Sequence, residues 1–325
     1  MAASILVVAE HFQGHLTDVT FELLGKAREL APALGGQVGV ALLGHDVGGL
    51  VSELGAADTV YAADRPELRE FTPDAYATVL GSAIRHAAPR VVLLGSTSSG
   101  LDLLGLLSAR LNLPCIDNCT ALKIQDGEVV ATSQIYGGKL FAEVVLPQPT
   151  ALVAVAPGMF PVDAGKVSGR PEVAQWPHEL GPSETGTSFR RWIEPPAGDV
   201  DITKVPVLVA VGRGIQNAEN VPQAEELAAL LGGAVCGSRP VIDQAWLPKT
   251  RQVGKSGMTV KSKLYLALGI SGAPEHVEGM RSAELIVAVN KDPQAPIFSV
   301  AHYGVVADLF DILPSLTAEI KTRQG

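Results

Sequence analysis

The sequence predicts a two-domain α/β protein: an N-terminal α/β domain over residues 1–198 and a C-terminal parallel-sheet domain over residues 199–325. Three observations carry this. Short apolar strand-like runs alternate with helical patterns through the first half, as in a mostly parallel sheet covered by helices. The periodicity then fails between Pro157 and Gly198, where Pro, Gly, Ser and Glu accumulate. A second alternation begins at Val205.

In the first domain, residues 5–9, 37–43, 59–62 and 90–95 read as buried strands. Helical patterns lie between them at about 20–34, 48–54 and 75–87. The turn Gly95-Ser-Thr-Ser-Ser-Gly100 leads into a helix over 99–111, and further strands follow at 129–134, 140–146 and 151–156. Residues 189–193 read as a last strand before the linker, in which Pro195-Pro-Ala-Gly198 suits a hinge. In the second domain, 205–211 is a strand and Gly212-Arg-Gly214 a turn. Asn220 opens a helix with a capping box to Gln223 and with Pro222 in the first turn. Gly232-Gly233 stops that helix, and strands follow at 234–237, 264–270 and 285–290. A last helix is expected from about 306 to 322, kinked or broken at Pro314.

At 325 residues, 47% hydrophobic and with a mean hydropathy of +0.24, the chain can bury two ordinary cores. A net charge of −9 without a long Lys/Arg run argues against a nucleic-acid partner. The longest apolar segments, such as 151–156, are too short for membrane insertion, and the N-terminus lacks the basic start and apolar core of a signal peptide. Cys115 and Cys119 have no His or further Cys at metal-ligand spacing, and Cys236 stands alone. They read as buried thiols of a reducing compartment, which places the protein in the cytoplasm.

The chemistry concentrates at the C-terminal ends of the second domain's strands. These ends run into Gly212-Arg-Gly-Ile-Gln-Asn217, Gly237-Ser-Arg239, Ser271-Gly-Ala-Pro-Glu-His276 and Asn290-Lys-Asp-Pro293. Ligands of open parallel sheets bind beyond those ends, and here small and polar residues gather there while the strands stay apolar. The run 264–270 exits into Ile270-Ser-Gly272 and a helix start, which suits an anion approached by backbone amides. Lys255 and Ser256 of the upstream loop add a cation and a hydroxyl. A dinucleotide-dehydrogenase fingerprint fits poorly. Asn217 stands where the third glycine belongs, and no acidic residue ends the following strand.

At this point the residues match a family. Residues 205–316 resemble the FAD-binding domain of electron transfer flavoprotein alpha subunits, through Gly212-Arg-Gly214, Gly237-Ser-Arg239, Trp246-Leu-Pro248, Gln252-Val-Gly254, Ser256-Gly257, 264–276, 290–298 and 303–310. The N-terminal domain resembles that family more loosely, through 95–110 and Ile135-Tyr-Gly-Gly138. The resemblance implies an alpha subunit paired with a beta subunit. It implies FAD held mainly by the C-terminal domain, and electrons carried between a donor dehydrogenase and a quinone reductase or similar acceptor. It further implies a nucleotide-binding-like N-terminal domain that is itself empty, with AMP or a second FAD in the beta subunit.

The FAD contacts it implies are Gly212, Arg213, Ser238, Arg239, Gln252, Val253, Gly254, Lys255, Ser256, Gly257, Gly269, Ile270, Ser271, Gly272, Ala273, Glu275, His276, Asn290, Asp308 and Leu309. Arg239 matches an arginine near the isoalloxazine; alone, it would read as a solvated loop residue. Ser256 replaces a threonine whose hydroxyl donates to flavin N5, keeping the donor and losing the branch that fixes its rotamer. Lys255 replaces a glutamine and favours the anionic reduced flavin if it reaches the ring. His276 matches a histidine at the flavin O2 edge; alone, it would read as a capping or surface residue. Glu275 replaces a glutamine and is expected to keep His276 charged. Ser238 and Ser271 match pyrophosphate or ribityl contacts, with amides from Gly272 and Ala273. Asn290 and Asp308 match adenosine-side contacts, and they read equally as a turn former and a helix cap. His302 and Met258 depart from the family's usual residues. The expected function is electron carriage on FAD rather than bond-making catalysis. The alternatives are a subunit of an electron-bifurcating flavoprotein using NADH and a redox-inactive adenine-nucleotide-binding module.

Overall fold

A computed structural model describes residues 3–136, 138–177, 180, 187–192 and 199–324. The chain divides into two compact units, Met1–Arg191 and Trp192–Gly325.

The first unit starts with β1 (Ala3–Val8) and a short hairpin, β2 (His11–Phe12) and β3 (His15–Leu16). Then come α1 (Asp18–Leu30), β4 (Gln37–Gly44), β5 (Thr59–Asp64), α2 (Pro73–Ala87), β6 (Val91–Gly95) and α3 (Ser98–Leu111). It ends with β7 (Cys115–Gln125), β8 (Glu128–Ile135), β9 (Leu140–Val145), β10 (Ala151–Val155) and β11 (Glu172–Ala174). Nine of these strands form one sheet in the order β11-β5-β4-β1-β6-β10-β7-β8-β9. Pairing is parallel from β11 to β7 and antiparallel across β8 and β9. The inner strands read as unbroken apolar runs because both faces of the sheet are covered. Alternate residues serve opposite cores. Ile5 and Val7 pack with Leu23 and Leu24 of α1, and Leu6 packs with Leu80 of α2 and Leu107 of α3.

Here the structure departs from the sequence reading at several places. β7 was not expected; a left-handed Asn118 (φ 52°) and a register shift between Cys119 and Ala121 break its alternation. The helical pattern expected at 48–54 is realised as a 3₁₀ helix over 48–53. No strand forms over 187–192, and the last strand of the unit is β11, added to the edge beside β5. Ile193, the hinge at 195–198 and Gly137 of the Ile135–Gly138 motif lie outside the described residues. Cys115 is exposed, against the expectation of three buried thiols. Burial pushes the thiol of Cys119 up to about 11 and that of Cys236 up to about 12.

The second unit comprises β12 (Val207–Val211), α4 (Val221–Leu230), β13 (Ala234–Gly237), α5 (Arg239–Asp243) and β14 (Leu264–Leu268). They are followed by α6 (Pro274–Met280), β15 (Leu285–Asn290), β16 (Tyr303–Val306) and α7 (Leu309–Gln324). Its sheet is parallel throughout, in the order β13-β12-β14-β15-β16. Three expectations change here. The Asn220 side chain does not cap α4: its Nδ2 donates to Ile215 O at 2.9 Å, while Asn217 Oδ1 accepts from Asn220 N at 3.2 Å. Residues 303–306 are a strand, so the last helix starts three residues later than expected. That helix runs on through Pro314 without breaking. Among the described residues, no helix is long and apolar enough to cross a membrane.

Candidate functional site

The chain leaves β12 for β13 on one side of the sheet and returns to β14 on the other. The neighbouring C-terminal ends of β12 and β14 therefore point into a crevice, the topological switch point at which doubly wound sheets take their ligands. A pocket of about 820 Å³ lies there, within the range of small-molecule sites.

Seventeen of the residues named from the sequence line this pocket: Arg213, Ser238, Arg239, Gln252, Val253, Gly254, Lys255, Ser256, Gly269, Ile270, Ser271, Ala273, Glu275, His276, Asn290, Asp308 and Leu309. Gly212, Gly257 and Gly272 do not line it but shape its floor. Gly212 N donates to Leu268 O at 2.9 Å, and Gly257 N closes a turn onto Gly254 O at 2.8 Å. Gly272 holds a left-handed φ of 86°, and a Cβ there would stand 2.2 Å from Ile297 N. The chain can turn between Ser271 and Ala273 only with glycine at this point.

The loops are pinned from below. Asn290 Nδ2 donates to Ile270 O at 2.8 Å, tying the exits of β14 and β15 together, and its Oδ1 accepts from Asp292 N at 3.0 Å. Asp308 Oδ1 accepts from Phe310 N at 3.0 Å at the entry to α7. The turn-former and cap readings of these two residues thus hold in the structure. Lys255 N donates to Glu275 O at 2.7 Å, joining the 254–257 loop to the start of α6. His302 Nδ1 accepts from Ile286 N at 2.9 Å, which gives that departure from the family pattern a structural job.

Cations ring the pocket. Arg213, Arg239, Lys255 and Lys291 all line it, and Arg239 Nε lies 3.5 Å from Asp243 while the arginine side chain remains largely exposed. His276 differs from them. It is buried, with Nε2 2.9 Å from Tyr265 Oη and Nδ1 3.2 Å from Val253 O. Burial drives its pKa down to about 4, against a weaker opposing bond to Val253. The expectation that Glu275 keeps His276 charged is overturned: the Glu275 side chain is exposed, and His276 is neutral at physiological pH. Gly214, Gln216 and Lys291, quoted at the strand ends but not among the expected contacts, also line the wall, and sequence reasoning missed Pro240, Asp243 and Val289 there. It also gave no role to Tyr265, inside the quoted 264–276 block, or to Lys249, both behind that wall.

The residues fit an elongated anionic cofactor: the volume is sufficient, the glycine turns let backbone approach, and cations and hydroxyls face the same space. A doubly wound unit with such a crevice belongs to the class of nucleotide-cofactor-binding α/β proteins. Residues 5–180 match the electron transfer flavoprotein domain, and residues 201–281 match the electron transfer flavoprotein FAD-binding domain. The chain is 38% identical over 328 residues to the electron transfer flavoprotein subunit alpha of Megasphaera elsdenii, covering 99% of this chain and 97% of the relative. It is 37% identical over 323 residues to protein FixB of Clostridium saccharobutylicum, at 98% and 96% coverage. The lactate dehydrogenase (NAD(+),ferredoxin) subunit LctC of Acetobacterium woodii is 34% identical over 98% of this chain and 77% of that protein. The chain belongs to the electron transfer flavoprotein family.

Proposed function

We propose that this chain is the alpha subunit of a heterodimeric electron transfer flavoprotein. It holds FAD in the pocket of its second unit and presents it to a donor dehydrogenase and a quinone-reductase-type or other acceptor. The observation that carries this reading is the coincidence of one 820 Å³ crevice with the residues that the family resemblance names. Bound FAD would supply one- and two-electron redox chemistry. The chain's own residues bind and orient it. Arg213, Arg239 and Lys255 supply positive charge, Ser238 and Ser271 supply hydroxyls, and the Gly272 turn brings backbone close. A beta subunit as partner is supported by the name of the Megasphaera elsdenii relative, a subunit alpha. The free cysteines and the family together support the cytoplasm as the location.

The first unit has its own crevice at the C-terminal ends of β1 and β6, of only about 60 Å³ and too small for a nucleotide. This supports one FAD on this chain, with any further nucleotide carried by the partner. The similarity to LctC keeps an electron-bifurcating complex as the second reading. An anaerobic reductive titration of the chain co-expressed with its beta-type partner, with released flavin quantified, separates these readings. One reducible FAD per heterodimer supports the carrier. Two FAD, one of them reduced by NADH, supports bifurcation. A flavin-free heterodimer would leave the adenine-nucleotide module.

A further inference from the structure

We propose that Lys249 and Gln252 are positioning residues that turn the Ser256 hydroxyl into a hydrogen-bond donor aimed at the cofactor pocket. The inference rests on the FAD reading above and adds to it a device that fixes the direction of one hydrogen bond.

A lysine ammonium carries three donors and no acceptor. Lys249 Nζ lies 2.8 Å from Gln252 Oε1, so it selects the amide's oxygen and settles an orientation that the amide's shape alone leaves open. The other end of the amide, Nε2, then lies 2.9 Å from Ser256 Oγ. An amide nitrogen offers only donors, so Ser256 Oγ must accept this bond. The serine keeps a single O–H. Neither Gln252 Nε2 nor Lys249 Nζ can accept it, and Ser256 lies on the pocket wall. The O–H is therefore free for an acceptor within the pocket, and a flavin ring presents carbonyl oxygens and ring nitrogens of that kind.

The device is held firmly. Gln252 is only 2% exposed. Its backbone N donates to Lys249 O at 3.1 Å, and its carbonyl accepts from Met258 N at 2.7 Å. Lys249 Nζ also donates to the Ser256 carbonyl at 2.9 Å, so one ammonium grips both the amide and the loop that carries the hydroxyl. Serine lacks the second Cβ substituent that restricts χ1 in threonine. In this chain the Gln252 amide supplies the missing restraint on Ser256.

The test uses the FAD-loaded heterodimer and reads the flavin midpoint potential together with FAD content. Ser256→Ala removes the donor. Gln252→Glu keeps the shape but presents a carboxylate, which accepts from both Lys249 and Ser256 and so pulls the hydroxyl away from the pocket. Lys249→Met frees the amide to flip. All three are expected to move the potential in the same direction, with Lys249→Met giving the smallest shift. In a Ser256→Ala background, Gln252→Glu and Lys249→Met are expected to add almost nothing, because their effect runs through the hydroxyl. A Gln252→Glu shift that persists at full size in that background is a simple charge effect and overturns the proposal. So does an unchanged potential in Ser256→Ala. Should Gln252→Glu fail to retain FAD, the cycle between Lys249→Met and Ser256→Ala reads the same coupling. A wild-type heterodimer without FAD overturns the FAD reading itself, which distinguishes that failure from failure of the positioning role.

Discussion

His276 Nε2 and Tyr265 Oη are 2.9 Å apart in the interior of the second unit, and this contact fixes how the buried histidine ring is oriented. Val253 O, 3.2 Å from Nδ1, can only accept, so Nδ1 carries the proton and Nε2 receives the tyrosine O–H. Both ring nitrogens are thereby engaged by the protein. Burial depresses the His276 pKa to about 4, against the opposing bond to Val253. In the unfolded chain His276 titrates near its ordinary value, so between pH 6.5 and 4 the unfolded state binds the extra proton. Stability is then present above pH 6.5 and declines as pH falls toward 4, by about 3 kcal/mol in total. Urea denaturation at pH 7.5 and 4.5 is expected to show this loss in the wild type and a clearly smaller one in His276→Gln. Glu275→Gln is expected to leave the loss unchanged.

Gly272→Ala is expected to cost both stability and cofactor. The substitution places a methyl 2.2 Å from Ile297 N and 2.6 Å from its Cα, at a φ of 86°. The left-handed backbone alone costs a side-chain-bearing residue about 1–3 kcal/mol, and the overlap with backbone adds to it because no flexible side chain can move aside. The variant should unfold at lower urea and purify with substoichiometric FAD. Full flavin content with an unchanged transition would show that the 271–273 turn tolerates what its geometry forbids.

The elements and the site were legible to different degrees, for physical reasons. The inner strands, such as 91–95 and 207–211, are apolar throughout because both sheet faces are covered, and such runs are visible in any sequence. The pocket was legible because parallel strands deliver their C-terminal ends to one edge, so Arg213, Ser238, Gly269 and Asn290 had to meet. Side-chain relationships were not legible. Glu275 was expected to act on His276 because they are adjacent in sequence, yet neighbours on a helix point about 100° apart, so one is exposed while the other is buried. Tyr265 sits in an ordinary strand run, and only the alternation of strand faces turns it inward toward His276. The contact from Lys249 through Gln252 to Ser256 spans a turn whose shape no residue pattern encodes.

Asn290→Ala tests how far the pocket edge depends on one side chain. Asn290 bonds Ile270 O on one side and Asp292 N on the other, so its removal frees the exits of two strands at once. Each lost bond of this kind is worth about 1 kcal/mol, and about 1.4 kcal/mol corresponds to tenfold in affinity. FAD dissociation followed by the recovery of free-flavin fluorescence is expected to show affinity weakened by about tenfold. The global unfolding transition should shift only slightly. Asn290→Asp keeps the acceptor for Asp292 N but sets a carboxylate against Ile270 O and adds negative charge beside an anionic cofactor, so it should weaken FAD binding at least as much as alanine.

Glu10 places a partly buried carboxyl in the wall of the first unit's small crevice. Its carboxylate reaches the start of α3, where Thr97 Oγ1 donates to Glu10 Oε2 at 2.6 Å, so the chain's own anion stands near the helix N-terminus. Burial raises the Glu10 pKa above its ordinary value, outweighing the Thr97 bond and the nearby His11. A carboxyl raised in this way contributes stability that is fully present below the unfolded pKa and is lost as pH rises through the folded one. Glu10→Gln keeps an acceptor for Thr97 and removes the buried charge. The variant is therefore expected to melt higher than wild type at pH 8, with the difference shrinking toward pH 4. Its crevice keeps the same small volume, because glutamine fills the space that glutamate did. FAD should then remain at one per chain, whereas a second flavin or AMP bound by the variant would show that charge, rather than volume, limits nucleotide binding by the first unit.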